Sequence, residues 1–300
     1  MNDELKFTVI SDTHYYSKKN FVDGFDKNKK PKPGQLFFSR SEEIVEHTFD
    51  CLCKNDTPDI VLISGDLTYN GERTSHDEMK AALKKLQQKG KRVYVITATH
   101  DYTTPRMPTY GIDKNDKYIE VESVNRTQLL KYYGDFGYNN AIAKHKSTMS
   151  YVAQLADGYR LFALNDDYGD PDCGFSDELM NWVKTEANNA KRDGQYIIAM
   201  THHPLVPPSP IYAAVAKGDM LNEYELRRNQ LSDLGFDFVL TGHTHMHNIS
   251  YCKIGNKKFY DISTAALTGF PPYYRQIVLN KEQKKAEIKT ICADLSLIHI

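Results

Sequence analysis

The sequence lacks a marked excess of charge of either sign. Its 300 residues include 38 lysines and arginines against 39 aspartates and glutamates, which gives a formal net charge of −1. This balance provides no strong field to attract a long polyanion or a membrane surface, so nucleic acid is not a favoured partner. We interpret the clearest basic run as a solvated loop rather than a binding patch. It comprises Lys27, Lys29, Lys30 and Lys32.

Cysteine is also scarce. The chain has five cysteines, an odd number, and their spacing is irregular. A disulfide framework would need an even number at regular spacing, so this usage is typical of a reducing compartment. It predicts a cytoplasmic protein, although a protein whose leader had been removed would look the same.

No long apolar run is present. A membrane helix needs about 18 consecutive apolar residues, and no segment provides them. The first six residues lack the basic start and apolar core of a signal peptide. Residues 295–300 form an apolar end that resembles a non-native or truncated tail. We therefore expect a single domain over residues 1–294, with neither a membrane nor a protein partner.

Short apolar runs alternate with helical patterns through most of the chain, which predicts an α/β fold with a largely parallel sheet. Ser39 and Ser75, each followed three residues later by glutamate, have the spacing of a capping box that starts a helix. The strand-like runs are residues 5–10, 60–63, 93–97, 161–164, 196–200 and 238–241.

The pattern changes in two places. Residues 102–147 show little regular signal apart from a helix near residues 126–133, and we expect a loop-rich insertion there. Near the carboxyl end, four strands follow one another with short turns, which predicts a second, more antiparallel sheet. These strands cover residues 249–254, 257–262, 276–279 and 286–291.

Five of the apolar runs are followed directly by aspartate or histidine. In open α/β sheets, ligands bind outside the carboxyl ends of the strands, so these side chains are expected to meet in one crevice. A single Asp-x-His motif is uninformative. Five segments that each place aspartate or histidine at a strand end, in this order, are not explained by ordinary turns. The segments are Ser11-Asp12-Thr13-His14, Ser64-Gly65-Asp66, Ala98-Thr99-His100-Asp101, Thr201-His202-His203-Pro204 and Gly242-His243-Thr244-His245.

This donor set predicts a pair of transition-metal ions. Imidazole and carboxylate groups suit manganese, iron or zinc. There are more donors than one tetrahedral zinc with an open position would use. Two ions about 3.5–4 Å apart need an anionic bridge. Asp66 lies in a Gly-Asp turn where its carboxylate could reach both ions.

With these motifs, the chain resembles the calcineurin-like metallophosphoesterases. Their signature is Asp-x-His, Gly-Asp, Gly-Asn-His-Asp/Glu, His-x-Pro and Gly-His-x-His, and the resemblance spans Asp12 to His245. It implies a four-layer αββα sandwich, in which two mixed β-sheets pack face to face with helices outside. It also implies hydrolysis of a phosphomonoester or phosphodiester by a hydroxide held between two metal ions.

The resemblance also implies individual roles. His100 would face the substrate and stabilise or protonate the leaving oxygen, and Asp101 could orient its ring. The six expected metal ligands all follow strand ends. Asp12, His14 and His245 would hold the first ion, His202 and His243 would hold the second, and Asp66 would bridge them.

The chain departs from this family pattern at Thr99. The family has an asparagine ligand of the second ion there, and Ala98 likewise replaces a glycine. A threonine hydroxyl lies closer to the backbone than an asparagine amide oxygen and is a poor donor to a dication. We therefore expect a weak or water-mediated contact and a weaker second site. The alternative is a metal-binding regulatory or scaffold module with little turnover.

The substrate is less well specified than the metal site. His203 and His247 are candidate substrate-binding residues, although each could be structural. Residues 165–167 follow another strand end and could support the site or begin a turn; we favour the turn. The charge balance favours a small phosphoester, either a diester or a nucleotide. Loop tyrosines could floor a pocket for a flat group or pack the insertion: Tyr102, Tyr110, Tyr212, Tyr273 and Tyr274.

Overall fold

The described part of the chain contains two large β-sheets with helices on both outer faces. A computed structural model describes residues 4–24, 35–54, 56–167 and 172–293. The basic run at residues 27–32 and the tail at residues 295–300 lie outside the described residues. The helices are α1 (Ser41–Leu52), α2 (Arg73–Gln88), α3 (Leu129–Tyr133), α4 (Asp177–Arg192), α5 (Pro210–Val215) and α6 (Tyr224–Asp233).

Each sheet combines parallel and antiparallel strands. The first has the order β14-β13-β1-β2-β3 and the second β11-β12-β10-β9-β8-β7-β6, while β4 and β5 form a separate ribbon. The strands are β1 (Glu4–Ile10), β2 (Ile60–Ser64), β3 (Arg92–Ile96), β4 (Gly111–Ile112), β5 (Tyr118–Ile119), β6 (Ala143–His145), β7 (Ser150–Ala156), β8 (Tyr159–Ala163), β9 (Tyr196–Met200), β10 (Phe238–Thr241), β11 (Asn248–Ile254), β12 (Lys257–Ser263), β13 (Tyr273–Asn280) and β14 (Lys285–Cys292).

Three apolar cores hold the layers together. Between the sheets, residues such as Phe7, Leu62 and Leu240 pack face to face. The apolar sides of α1 and α2 cover the outer face of the first sheet. In the same way, α4 and α6 cover the second sheet. Burying both faces of each central strand explains their continuous apolar runs. The four-layer αββα architecture expected from the sequence is confirmed.

The four late strands do not form a sheet of their own, which corrects the sequence-based prediction. β11 pairs with β12 at one edge of the second sheet. β13 and β14 pair with each other, and β13 joins β1 in the first sheet. Short turns predict the two hairpins correctly. They contain no information about which sheet edge each hairpin joins, because that depends on distant packing.

The predicted capping boxes do not start the helices. α1 begins at Ser41 and α2 at Arg73, so Ser75 lies inside the first turn of α2. Its hydroxyl instead accepts hydrogen bonds from the backbone N–H of Ser17 at 3.1 Å and from the side-chain amide of Asn20 at 3.1 Å. Ser75 therefore anchors the loop after β1 to α2.

Residues 102–147 contain more structure than the sequence pattern indicates. They supply the β4–β5 ribbon, helix α3 and the edge strand β6. Tyr132, Tyr133 and Phe136 pack into the core beneath α1 and α2. Among the described helices, none has the length and apolar character needed to cross a membrane.

Candidate metal centre

The loops after five parallel strands meet at one edge of the sandwich. β1, β2 and β3 lie side by side in the first sheet, and β9 pairs with β10 in the second. Within the first sheet, Asp12 N–H donates to Gly65 O at 3.1 Å. Within the second, Gly242 N–H donates to His202 O at 3.0 Å. The backbone N–H of His243 donates to the Asp12 carboxylate at 3.1 Å, which links the two sheets.

Two glycines of the motifs are required by close contacts at this junction. A β-carbon on Gly242 would lie 1.8 Å from Ser11 Oγ and 2.4 Å from Asp12 Oδ2. Gly65 has a φ of +100°, and a β-carbon there would lie 2.7 Å from His202 Nδ1. Larger residues at either position would push apart side chains of the site.

Five of the predicted ligands adopt the left-handed backbone conformation, which is uncommon for residues with a β-carbon. Such conformations cost about 1–3 kcal/mol each and persist where the surroundings impose them, often at functional sites. The φ values are 50° at Asp12, 38° at His14, 51° at Asp66, 65° at His243 and 56° at His245.

Asp12, His14 and His245 form the first group of side chains that could hold a metal ion. The Nε2 atoms of His14 and His245 lie 3.1 Å apart. Asp12 Oδ1 lies 3.4 Å from His245 Nε2 and 3.8 Å from His14 Nε2. The hydroxyl of Ser11 donates to the other carboxylate oxygen, Asp12 Oδ2, and so holds the carboxylate in place.

Asp66, His202 and His243 form the second group. Asp66 Oδ2 lies 3.2 Å from His202 Nε2 and 3.7 Å from His14 Nε2, so the carboxylate stands between the two groups. Its other oxygen accepts a hydrogen bond from the backbone N–H of His100 at 3.0 Å. The carbonyl of Ser64 lies 2.8 Å from His202 Nδ1, which leaves Nε2 facing the site.

The spacing of these donors fits metal coordination. Two ligand atoms about 2.1 Å from one ion lie about 3.0–3.4 Å apart in octahedral or tetrahedral geometry. The Nε2–Nε2 distance between His14 and His245 and the distance from His202 Nε2 to Asp66 fall in this range. In addition, His202 Nε2 is buried and makes no hydrogen bond in the described part of the chain.

The electrostatic surroundings divide the histidines of the site into two kinds. Burial lowers the pKa of His14 to about 3 and also lowers that of His243. Burial acts in the same direction on His202, but the nearby Asp66 raises its pKa well above the usual value. Asp12 likewise raises the pKa of His245 against the effect of burial. The neighbouring carboxylates therefore favour the protonated form of His202 and His245, whereas burial favours the neutral form of His14 and His243.

The structure brings His100 to the site but corrects the expected role of Asp101. The ring of His100 lies edge-on to His14, with 4.8 Å between ring centroids. Its Nδ1 contacts the carbonyl of Tyr69 and lies 2.9 Å from Asn70 Oδ1, so these groups orient the ring. The Asp101 carboxylate instead accepts backbone N–H groups.

Asp101 holds together the loops after β2 and β3. Its Oδ1 accepts from Thr68 N–H at 2.8 Å, and its Oδ2 accepts from Ala98 N–H at 2.9 Å. The side chain is fully buried. Asp101 therefore acts on His100 only indirectly, by fixing the short 3-10 turn Thr99–Asp101 that carries it.

Asp166 supports the site, contrary to the turn that the sequence favoured for residues 165–167. Its Oδ2 accepts from the backbone N–H groups of His202 at 3.2 Å and His203 at 2.7 Å, and from the Thr201 hydroxyl at 2.8 Å. This carboxylate fixes the whole loop after β9. Only its position after the end of β8 could have indicated this role.

Neither candidate substrate-binding histidine reaches the open side of the site. His203 is buried, with Nδ1 3.3 Å from Asp166 Oδ1, and this carboxylate raises its pKa to about 10 against the effect of burial. His247 Nε2 lies 3.0 Å from Thr290 Oγ1 on β14. Their positions do not support a direct contact with substrate. Thr99 is half-buried, and no hydrogen bond of its side chain is found among the described residues.

A cavity of about 420 Å³ opens above the two groups. The residues that line it belong to the metal groups and to the loops around them. They are Gln35, Asp66, His100, Tyr212, Asp219, His243, Thr244, His245 and Met246. Gln35, Asp219 and Met246 have no distinctive sequence pattern, and Tyr212 was indicated only as one of several loop tyrosines.

Comparison with known proteins agrees with this geometry. The model of the calcineurin-like phosphoesterase family matches residues 5–247. A dimetal phosphatase from Danio rerio has the same fold, with a TM-score of 0.59, 12% identity, and coverage of 97% of this chain and 99% of that one.

An NAD nucleotidase from Haemophilus influenzae matches with a TM-score of 0.48 and 15% identity; the match covers 95% of this chain and about half, 49%, of that one. No curated protein matches the sequence significantly. The family match covers most of the chain and includes every motif described above. The chain belongs to the calcineurin-like phosphoesterase family, and it is a metal-dependent hydrolase acting on phosphoester bonds.

Proposed function

We propose that this protein hydrolyses a small phosphomonoester or phosphodiester at a dinuclear centre of manganese, iron or zinc. The observation that carries the proposal is the position of Asp66, whose Oδ2 lies within 3.7 Å of a histidine from each group. One carboxylate placed between two sets of donors suits a bridging ligand. The proposed ligands are Asp12, His14, Asp66 and His245 for one ion, and Asp66, His202 and His243 for the other.

The bound ions would supply Lewis-acid chemistry, activating water as the nucleophile and neutralising charge on the phosphoryl oxygens. The protein groups orient this chemistry. The contacts from Tyr69 and Asn70 hold His100 Nδ1, so its Nε2 is the nitrogen available to the leaving oxygen. From the cavity, His100 would donate a hydrogen bond or a proton to that oxygen.

Thr99 affects the expected affinity of the second metal site. A threonine side chain cannot place a carbonyl oxygen where the family has an asparagine, so we propose a second site that binds its ion more weakly. The competing function is a metal-binding regulatory or scaffold module with little turnover. Three of the second site's donors are present, and His100 lines an open cavity, which favours the enzyme.

A paired assay tests the proposal. The metal-stripped protein is supplied separately with manganese, iron, zinc, cobalt and magnesium. Hydrolysis of p-nitrophenyl phosphate and of bis(p-nitrophenyl) phosphate is then followed. We expect turnover with at least one transition metal on at least one substrate. Metal uptake without turnover on either substrate would instead support the regulatory module.

Composition supports a proposal about the location and partners of the enzyme. All five cysteines are free, which is compatible with a reducing compartment. We propose a cytoplasmic location and a small phosphoester as the binding partner, with no nucleic acid, membrane or protein partner.

A further inference from the structure

The cavity above the metal groups has an acidic and aromatic rim. Helix α5 carries Tyr212, and the short 3-10 turn Lys217–Asp219 carries Asp219 to the same opening. The Tyr212 hydroxyl donates to Asp219 Oδ2 at 2.8 Å. Burial and the neighbouring Asp219 raise the pKa of Tyr212, so the phenol remains a donor at neutral pH.

The negative charge of Asp219 has no cationic partner among the described residues. No lysine or arginine lies within ion-pairing distance of its carboxylate in that part of the chain. No lysine or arginine belongs to the described lining of the cavity either. The Tyr212 hydroxyl donates to Oδ2, and no hydrogen bond to Oδ1 is found among the described residues.

A rim of this kind selects by charge. Sites for substrates with several phosphates place lysine or arginine around the additional phosphates. A fixed carboxylate beside the cavity would instead repel a second anionic group. A carboxylate next to a partly exposed aromatic ring suits an organic ammonium ion, because the ring face and the carboxylate both attract positive charge.

We propose that the preferred substrate is a phosphoester of an amino alcohol, in which Asp219 and the ring of Tyr212 bind the ammonium group while the phosphate meets the metal centre. This inference rests on the proposed phosphoesterase function and adds the substrate class to it. Asp219 and Tyr212 would determine specificity without taking part in the chemical step.

The test compares substrates that differ only in one charge. Phosphocholine and its uncharged carbon isostere, 3,3-dimethylbutyl phosphate, form the monoester pair. Their p-nitrophenyl diesters form the second pair. We expect a kcat/KM ratio of about ten or more in favour of the charged member in at least one pair.

Substitutions test whether Asp219 causes the preference for the charged substrate. Asp219→Asn should bring that ratio to within about threefold of unity through a higher KM for the charged substrate, with kcat nearly unchanged. Asp219→Glu should restore part of the ratio. Asp233→Asn, which removes an exposed carboxylate on α6, is the matched control and should leave the ratio intact.

Different results would contradict the amino-alcohol assignment and the phosphoesterase function. Equal rates within every pair that is hydrolysed, a preference that survives Asp219→Asn, or turnover of p-nitrophenyl phosphate with none of the four compounds would overturn the amino-alcohol assignment and leave the phosphoesterase intact. Absence of turnover on all four compounds and on p-nitrophenyl phosphate, with every metal, would overturn both.

Discussion

The Nε2 atoms of His14 and His245 lie 3.1 Å apart, although 231 residues separate them in sequence. Burial lowers the pKa of His14 to about 3, whereas Asp12 raises that of His245 against the effect of burial. Any proton held between the two nitrogens has to leave before both can bind one ion.

This arrangement predicts proton release on metal binding. Histidine coordinates as the neutral ring, so the protons that the carboxylates favour on His245 and His202 have to leave. We expect a net release of protons on metal binding, and a metal affinity that increases with pH because fewer protons compete. Titration calorimetry in buffers of different ionisation enthalpy measures the release. A binding heat independent of the buffer would contradict the assignment.

Thr99→Asn should strengthen the second site. The longer side chain places an amide oxygen where the hydroxyl cannot reach, and we expect about tenfold tighter binding of the second ion. Metal titration followed by activity measures this, with Thr185→Asn on the exposed side of α4 as the control. If stoichiometry and rate both stay unchanged, Thr99 does not limit the site.

His100→Ala should reduce kcat without loss of metal. Removing a group that assists the leaving oxygen typically costs about 10²–10⁴-fold. The loss should be smaller for p-nitrophenyl esters than for alkyl esters, because p-nitrophenolate needs less assistance. His47→Ala, in helix α1, is the control. An equal loss for both leaving groups would argue against a role at the leaving oxygen.

Asp166→Asn should weaken the second metal site through the loop after β9. The carboxylate fixes the backbone of His202 and His203, and loss of such support typically lowers metal affinity about 10–100-fold. Asp167→Asn is the matched control, because the Asp167 carboxylate accepts a hydrogen bond from the Tyr102 hydroxyl at 2.7 Å, and none from that loop is found among the described residues. Equal metal affinity in the two variants would show that Asp166 does not support the second metal site.

The sequence indicates where the candidate ligands lie because their placement follows from local rules. An apolar run ending in Asp or His predicts a donor at a strand end, and parallel pairing brings neighbouring strand ends together. The contacts that position these donors are less predictable. Asp166 resembles an ordinary turn residue in sequence, and Asp101 binds backbone groups of two loops whose proximity depends on the complete sheet.

The rim of the cavity could not be predicted for a different reason. Tyr212 and Asp219 lie in a short helix and turn that bury few apolar residues, so no periodic pattern indicates their position. The division of the late hairpins between two sheets has a related cause. Hairpin turns are local, whereas the choice of sheet edge depends on the inter-sheet core that includes Ile262 and Ile277.

The most direct test of the dinuclear centre is anomalous diffraction from crystals of the manganese-loaded protein. A dinuclear centre bridged by Asp66 should give two peaks about 3.5–4 Å apart, one on each side of its carboxylate. A single peak at full metal loading, or peaks away from Asp66, would contradict it.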